Sequence, residues 1–294
     1  MSQHTHNLRA HLAVLATNLF FAANFSFVKL ISPFPVAPIA LNVLRLAFSL
    51  VLFWLLWLLA KEKQGIQRRH LGRFLLCGIT GVAINQTFFI KGLTLTSTIH
   101  ASLLIMVTPL LISLFAVWVL KEKMTRWKAI GLGLGIGGAA LLVASKSGGS
   151  TGSNPLWGDT LILINAISYA AYYILVKPLM QAYSSLHVVR WVFTFGLFLI
   201  LPFGWSETMA IGWSALDAAG IFSLFFVVFA GTFLTYVFTA YGIRHLGAAV
   251  AGSYIYTQPV FAVLIAIFVL GEQVTWDKLV AAALIFAGVW LVGK

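Results

Sequence analysis

Acidic residues are scarce in this chain: seven Asp and Glu stand among 294 residues, and all charged types together make up 9%. Soluble domains carry about 25% charged residues and about 45–50% apolar ones. At 61% hydrophobic, the chain has too little polar material to coat a water-facing surface, which excludes a soluble enzyme. Disorder is excluded too, because it requires low hydrophobicity and high charge. The one cysteine, Cys77, sits inside an apolar run, so there is neither a disulfide framework nor a Cys-based metal site. Glu62, Glu122, Asp159, Glu207, Asp217, Glu272 and Asp277 all avoid the middle of the apolar runs. Proton-coupled pumps rely on intramembrane acids or histidines, so uniport or exchange is expected, not carboxylate-based proton antiport. The histidines are scattered as well, which leaves no expected metal, cofactor or intramembrane catalytic constellation.

What the chain does have is length in its apolar runs. A helix crossing about 30 Å of hydrocarbon needs about 20 apolar residues. Ten such runs are expected, at 10–31, 36–60, 72–92, 97–120, 127–145, 157–177, 185–204, 215–241, 246–270 and 274–293. The first lacks a small-residue cleavage site and reads as a retained helix. Residues 146–155 (KSGGSTGSNP) form a Gly/Ser-rich linker.

The net charge of +12 does not line one face, which argues against nucleic acid. It falls in bursts between runs, and Lys and Arg gather in cytoplasmic loops. With the N-terminus inside, thirteen basic residues lie on the cytoplasmic side against Lys29, Lys91, Lys146 and Lys278 outside. Arg45 and Arg190 lie within spans. Both termini are expected to be cytoplasmic in a multi-pass protein of a bacterial inner membrane, surrounded by lipid.

The chain also repeats itself. Phe21–Lys29 matches Tyr169–Lys177 at an offset of 148, and Leu41–Phe48 matches Leu186–Phe193 at 145. From Gly81 the offset is 150, pairing Gly81 with Gly231, Pro109 with Pro259, Glu122 with Glu272 and Gly138 with Gly288. Five helices per copy is an odd number, so the second copy enters the membrane from the opposite face. The expected fold is therefore an all-α integral membrane protein: ten transmembrane helices in two five-helix inverted-topology repeats, 8–145 and 156–294, around a central cavity. Inverted repeats of this kind characterise secondary transporters, with the substrate at the repeat interface near the midplane.

The stretch Lys91–Thr98, the mid-span Pro109, Leu120–Glu122 and the Gly-rich fifth span resemble an EamA repeat of the drug/metabolite transporter superfamily. Tyr241–Gly247, Pro259, Leu270–Glu272 and Phe286–Gly288 repeat the pattern. The resemblance covers nearly the whole chain. It implies ten helices, a central cavity and export or facilitated transport of small molecules. Within the family the chain is most similar to bacterial exporters of amino acids, aromatic ones in particular. Nucleotide precursors, cationic compounds and other metabolites remain open as cargo, as does a polar-lined channel.

Polar groups inside hydrocarbon are costly and mark candidate sites. Asn165, Tyr169, Tyr172 and Tyr173 share one helix face, and their counterparts Thr17, Phe21, Asn24 and Phe25 share another. Asn85, Gln86 and Phe89 correspond to Thr235, Tyr236 and Thr239. With Thr108, Tyr254 and Gln258, these faces would build a cavity of amides, hydroxyls and aromatic walls for an amphipathic small molecule. Taken singly, each residue is equally well explained by a hydrogen bond between helices, worth about 0.6 kcal/mol. Pro109 and Pro259 are candidate hinges, or plain packing kinks. Arg45 and Arg190 are expected to hold helix ends, with carboxylate recognition as the alternative. Lys29 and Lys177 are expected to snorkel as anchors, and Lys91 and His100 are weaker substrate candidates.

The string Gly133-x-Gly135-x-x-Gly138 matches a dinucleotide fingerprint but lacks the preceding strand. Gly131/Gly135 and Gly133/Gly137 instead suit close helix packing. The expected unit is a monomer, with a dimer as the alternative.

Overall fold

The computed structural model describes residues 2–32, 34–59, 65–119, 121–144, 152–246, 251 and 254–293. Among these the chain is helical, with no strand. The helices are α1 (Ser2–Ile31), α2 (Pro38–Leu59), α3 (Arg68–Leu95), α4 (Thr98–Val119), α5 (Arg126–Ala144), α6 (Pro155–Ala182) and α7 (Ser185–Met209). Then comes α8, which runs through Ala218–Phe225, Phe226–Leu234 and Thr235–Leu246. The last two are α9 (Tyr254–Leu270) and α10 (Trp276–Val292).

Eight helices, α1 to α8, are long and apolar enough to cross a membrane, and the protein is a multi-pass membrane protein. Helix α9 is a shorter apolar one. At 17 residues, α10 sits at the lower limit for a span of about 17–25 residues. The expected linker falls largely outside the described residues, as do Lys61, Glu62, Lys63, Lys146 and Lys294.

Helix starts follow from local chemistry. Ser97, Ser184, Asn154 and Asp217 each accept a backbone N–H from the first turn of the helix they precede. Gly271, at φ 65°, closes α9 in the left-handed conformation that glycine tolerates. Without water to accept them, the first N–H groups of a spanning helix need protein partners. Two acids far away in sequence supply them. Glu207 receives Ile39 and Ala40 at the start of α2 (3.2 and 3.4 Å), and Glu272 receives Thr98 and Ile99 at the start of α4 (2.7 and 3.0 Å).

The bundle packs in reciprocal pairs. Helix α5 lies on α10 and α2 on α7; α1 lies on α8 and α9, while α6 lies on α3 and α4. The α5–α10 crossing is made by small residues. A Cβ added to Gly131 would run into the Gly288 carbonyl, and one on Gly138 would lie 2.9 Å from the Ala281 carbonyl. Shifted by 150 positions, each of these contacts becomes the other. Gly135 packs on Leu110 and Gly288, whereas Gly133 and Gly137 meet open space. Of the two expected small-residue faces, Gly131/Gly135 is therefore the one that packs. Phe268, Trp276, Leu59 and Phe203 project outward, as a lipid-facing surface requires.

Candidate functional site

Helices α3 and α8 depart from α-geometry at related positions. Ile79–Ile84 and Phe226–Leu234 are π-helical, a form frequent at functional sites. Each contains a glycine that lets a neighbour come close. Gly81 faces the Tyr172 ring of α6, and at Gly231 a Cβ would lie 2.5 Å from Asn24 Oδ1 of α1. The same structural position is thus aromatic on one side of the bundle and an amide on the other.

Between these segments, the Gln86 side chain lies beside the Tyr236 hydroxyl. These two residues are each other's counterparts at the 150 offset. Tyr169 and Tyr172 of α6 stack at 5.7 Å, Tyr169 lies 6.0 Å from Tyr173, and Tyr236 sits edge-on to Phe193 at 5.0 Å. Tyr169 keeps 36% of its surface accessible although protein surrounds it, which is the signature of a residue lining a concave interior. Arg45 (5% exposed) reaches this region from α2. Its Nε donates to Thr232 Oγ1 at 2.8 Å, and that hydroxyl donates to the Val227 carbonyl at 2.9 Å, five residues back in the π-turn. Arg45 Nη1, Gln86 Oε1 and Asn24 Oδ1 are buried without a hydrogen-bond partner.

The expected residues divide. Gln86, Tyr169, Tyr173 and Tyr236 come together, with Asn24 alongside at Gly231. Asn85 and Asn165 instead exchange side-chain bonds to each other's backbone carbonyls (3.2 and 2.8 Å), so they tie α3 to α6. Thr17 turns its hydroxyl onto Ala13 of its own helix. Phe89 packs edge-on to Phe25 at 5.1 Å, Phe21 and Thr239 are half-buried, and Thr108 is buried. Tyr254 bonds His11 Nδ1 at 2.8 Å, joining α9 to the start of α1, and Gln258 is half-buried beside Pro259.

The proline kinks take a different form from the one expected. Helix α4 breaks after Ile105 and restarts at Thr108, with Pro109 second in the new helix. Likewise Pro259 is second in the helix Gln258–Leu270 that follows a tight turn at Tyr254–Thr257. Proline at a helix start costs no hydrogen bond there and presets the backbone angle. These are junctions between half-helices.

The two arginines also part company. Arg190 lies 4.5 Å over both Trp54 and Trp57, in the last turns of α2, and its Nη2 donates to His187 Nδ1 at 3.0 Å in the first turn of α7. Lys29 is more than an anchor, because it approaches Glu272 at 3.6 Å, while Lys177 is exposed.

Sequence reasoning missed Thr232, which stands one turn before Tyr236 on the face that continues to Thr239. It also missed an interlocked set of polar groups at the Lys29 end of the bundle. There Thr96 donates to Asp159 Oδ1 at 2.5 Å, His100 Nδ1 lies 3.0 Å from Asp159 Oδ2, and Glu272 caps α4 beside Lys29. Asp159 and Glu272 are both almost fully buried. At the opposite end Glu122, the counterpart of Glu272, is exposed and pairs locally with Lys128 at 3.1 Å. The counterparts of Thr98 and Ile99, at 248 and 249, lie outside the described residues.

The chain is an all-helical membrane bundle with polar and aromatic side chains gathered between its helices, and comparison with known proteins gives both its class and its family. The EamA-like transporter family matches residues 8–144 and 156–294, and the chain belongs to that family. An uncharacterized transporter of Archaeoglobus fulgidus is 24% identical over 97% of both chains. A probable terminal-alkyne amino-acid exporter of Streptantibioticus cattleyicolor is 28% identical over 80% of this chain and 78% of its own. A crystal structure 18% identical in sequence has the same fold, with a TM-score of 0.61 over 99% of this chain and 96% of that one.

Proposed function

We propose that the protein is a secondary transporter that exports small amphipathic metabolites, amino acids including aromatic ones, by alternating access as a uniporter or exchanger. The observation that carries this reading is the centre of the bundle, where Gln86 of α3 lies beside its own counterpart Tyr236 of α8 and near the accessible Tyr169 and Tyr173. In two inverted copies, a residue that meets its counterpart lies on the two-fold axis, and transporters of this architecture hold substrate there. The reciprocal contacts of α5 with α10 support the same division into copies at 8–145 and 156–294. The amino-acid exporter among the relatives supports the substrate class.

With the N-terminus cytoplasmic, the end where Glu272, Lys29 and Asp159 gather faces outward and acts as the outer gate. The exchange of the two halves' shapes then opens that end and closes the other. Pro109 and Pro259, at half-helix junctions, are the flexing points.

Solute counterflow into proteoliposomes tests the reading, using aromatic amino acids, Thr, Met and nucleotide sugars. Saturable exchange of labelled aromatic amino acid without an imposed pH gradient is expected. Inactivity towards every amino acid overturns the substrate class, and strict dependence on the gradient overturns uniport and exchange. Tags near Arg68 and Arg126 that report opposite sides of the bilayer overturn the threading. A second reading, export of cationic compounds, draws on the open tyrosine faces at Tyr169 and Tyr173, which attract cations.

A further inference from the structure

The two arginines at equivalent positions differ in what surrounds their unpartnered nitrogens. Arg190 leaves Nε and Nη1 without a hydrogen-bond partner, but its guanidinium is enclosed by the Trp54 and Trp57 rings and by His187. Arg45 is held on one side only, by Thr232, and its Nη1 has no partner although the side chain is 5% exposed. An unpaired guanidinium group buried in a membrane protein is costly unless something meets it. Among the described residues no acid does so: Asp159, Glu207, Asp217 and Glu272 are engaged at helix ends, and Glu122 pairs with Lys128. Two further unpartnered atoms flank the same stretch of α8. Asn24 Oδ1 lies against Gly231, and Gln86 Oε1 belongs to the amide that meets Tyr236. Both are acceptors, and Gly231 and Tyr236 are five positions apart, about 7.5 Å of helix at about 1.5 Å each. One small molecule can therefore meet all three groups.

Resting on the exporter reading above, we propose that Arg45, Asn24 and Gln86 form a subsite for the zwitterionic head of a free amino acid. Arg45 takes the carboxylate, for which its planar fork is suited. The Asn24 and Gln86 oxygens accept the ammonium, and the side chain of the cargo lies towards Tyr169 and Tyr172. Thr232 is a positioning residue: its hydroxyl, tied to the Val227 carbonyl, aims the guanidinium. The subsite carries one positive charge and no negative one. It therefore refuses an amine that lacks a carboxylate, and this sets the subsite against the cationic-compound reading.

The experiment is counterflow by the full-length protein with three probes of one shape: phenylalanine, phenethylamine (no carboxylate) and 3-phenylpropionate (no ammonium). In the wild type we expect phenylalanine to be transported, 3-phenylpropionate more weakly and phenethylamine not at all. Arg45→Gln is expected to weaken phenylalanine transport about tenfold to a hundredfold, the range for losing a charged hydrogen bond. Gln86→Leu is expected to bring phenylalanine down to the level of 3-phenylpropionate. The comparison of probes on the wild type needs no variant, so misfolding of Arg45→Gln cannot mask the answer. Transport of phenethylamine by the wild type as fast as phenylalanine overturns the proposal. So does undiminished phenylalanine transport by Arg45→Gln, in which case the exporter reading stands. A wild type that moves no amino acid at all overturns both.

Discussion

Arg45 and Arg190 occupy the same place in the two halves of the sequence, yet one faces the centre of the bundle and the other is packed away among indoles. The cause lies one helix over. Thr232, which receives Arg45, corresponds to Val82, which has no hydroxyl to offer Arg190. Trp54 and Trp57, which enclose Arg190, correspond to Leu199 and Pro202, which have no π-face for Arg45. The same split separates Asn24 from Tyr172 at the two π-segment glycines, and Glu272 from Glu122 at the two ends. The halves share their packing skeleton and differ in their polar chemistry. A shared skeleton suits two similar gates, while different chemistry suits a cargo with one polar and one aromatic end.

The skeleton is where a change does most harm. Gly131→Leu, at the seam with Gly288, is expected to cost about 3 kcal/mol of stability by overpacking. Gly133→Leu, two residues on in open space, should stay within about 0.5 kcal/mol. Melting temperatures in detergent, read side by side, check this pair.

Next in size is the difference between the ends. Glu272→Ala strips α4 of two charged caps and Lys29 of its neighbour, an expected loss of about 2 kcal/mol together with faster thiol labelling of a cysteine placed at Ser97. Glu122→Ala removes an exposed pair and should change stability by less than about 0.5 kcal/mol. Equal effects at the two ends would mean that the Lys29 end is not held by Glu272.

Smaller again is the Arg190 enclosure. Trp54→Leu is expected to lower stability by about 1–2 kcal/mol, the worth of a desolvated cation–π contact, without altering which substrates exchange. The smallest effect is expected at Asn165→Ala, about 0.6 kcal/mol per helix-bridging bond lost, with transport retained. Abolished transport in that variant, with stability unchanged, would return Asn165 to the substrate face.

Much of the fold was legible because it rests on bulk properties. Apolar runs between charge clusters marked the helices, and α1 to α8 follow them to within a few residues. Glycine spacing marked the α5–α10 seam but could not choose between Gly131 and Gly133, a choice made by the rotation of α5 against α10. The repeat also marked Gln86 and Tyr236 as equivalent, though not as touching. The polar partnerships were illegible for a different reason. Thr232 is 187 positions from Arg45 and Glu272 is 174 from Thr98, and no local pattern links residues across such distances. Asn85 and Asn165 had the right character for a site and are spent on each other, because two amides at facing positions satisfy one another before any cargo arrives.

Gln86 and Tyr236 have a standing no other pair of site residues shares. If the two halves trade shapes, most cross-bundle neighbours separate at one end and meet at the other, but a position that meets its own twin is carried onto itself. That spot is a fulcrum. A disulfide staple built there removes the Gln86 amide and so should weaken amino-acid transport, yet it should leave both mouths free to move, whereas one between positions 272 and 98 should freeze them, and the bound molecule would rest at the still point around which both mouths open and shut.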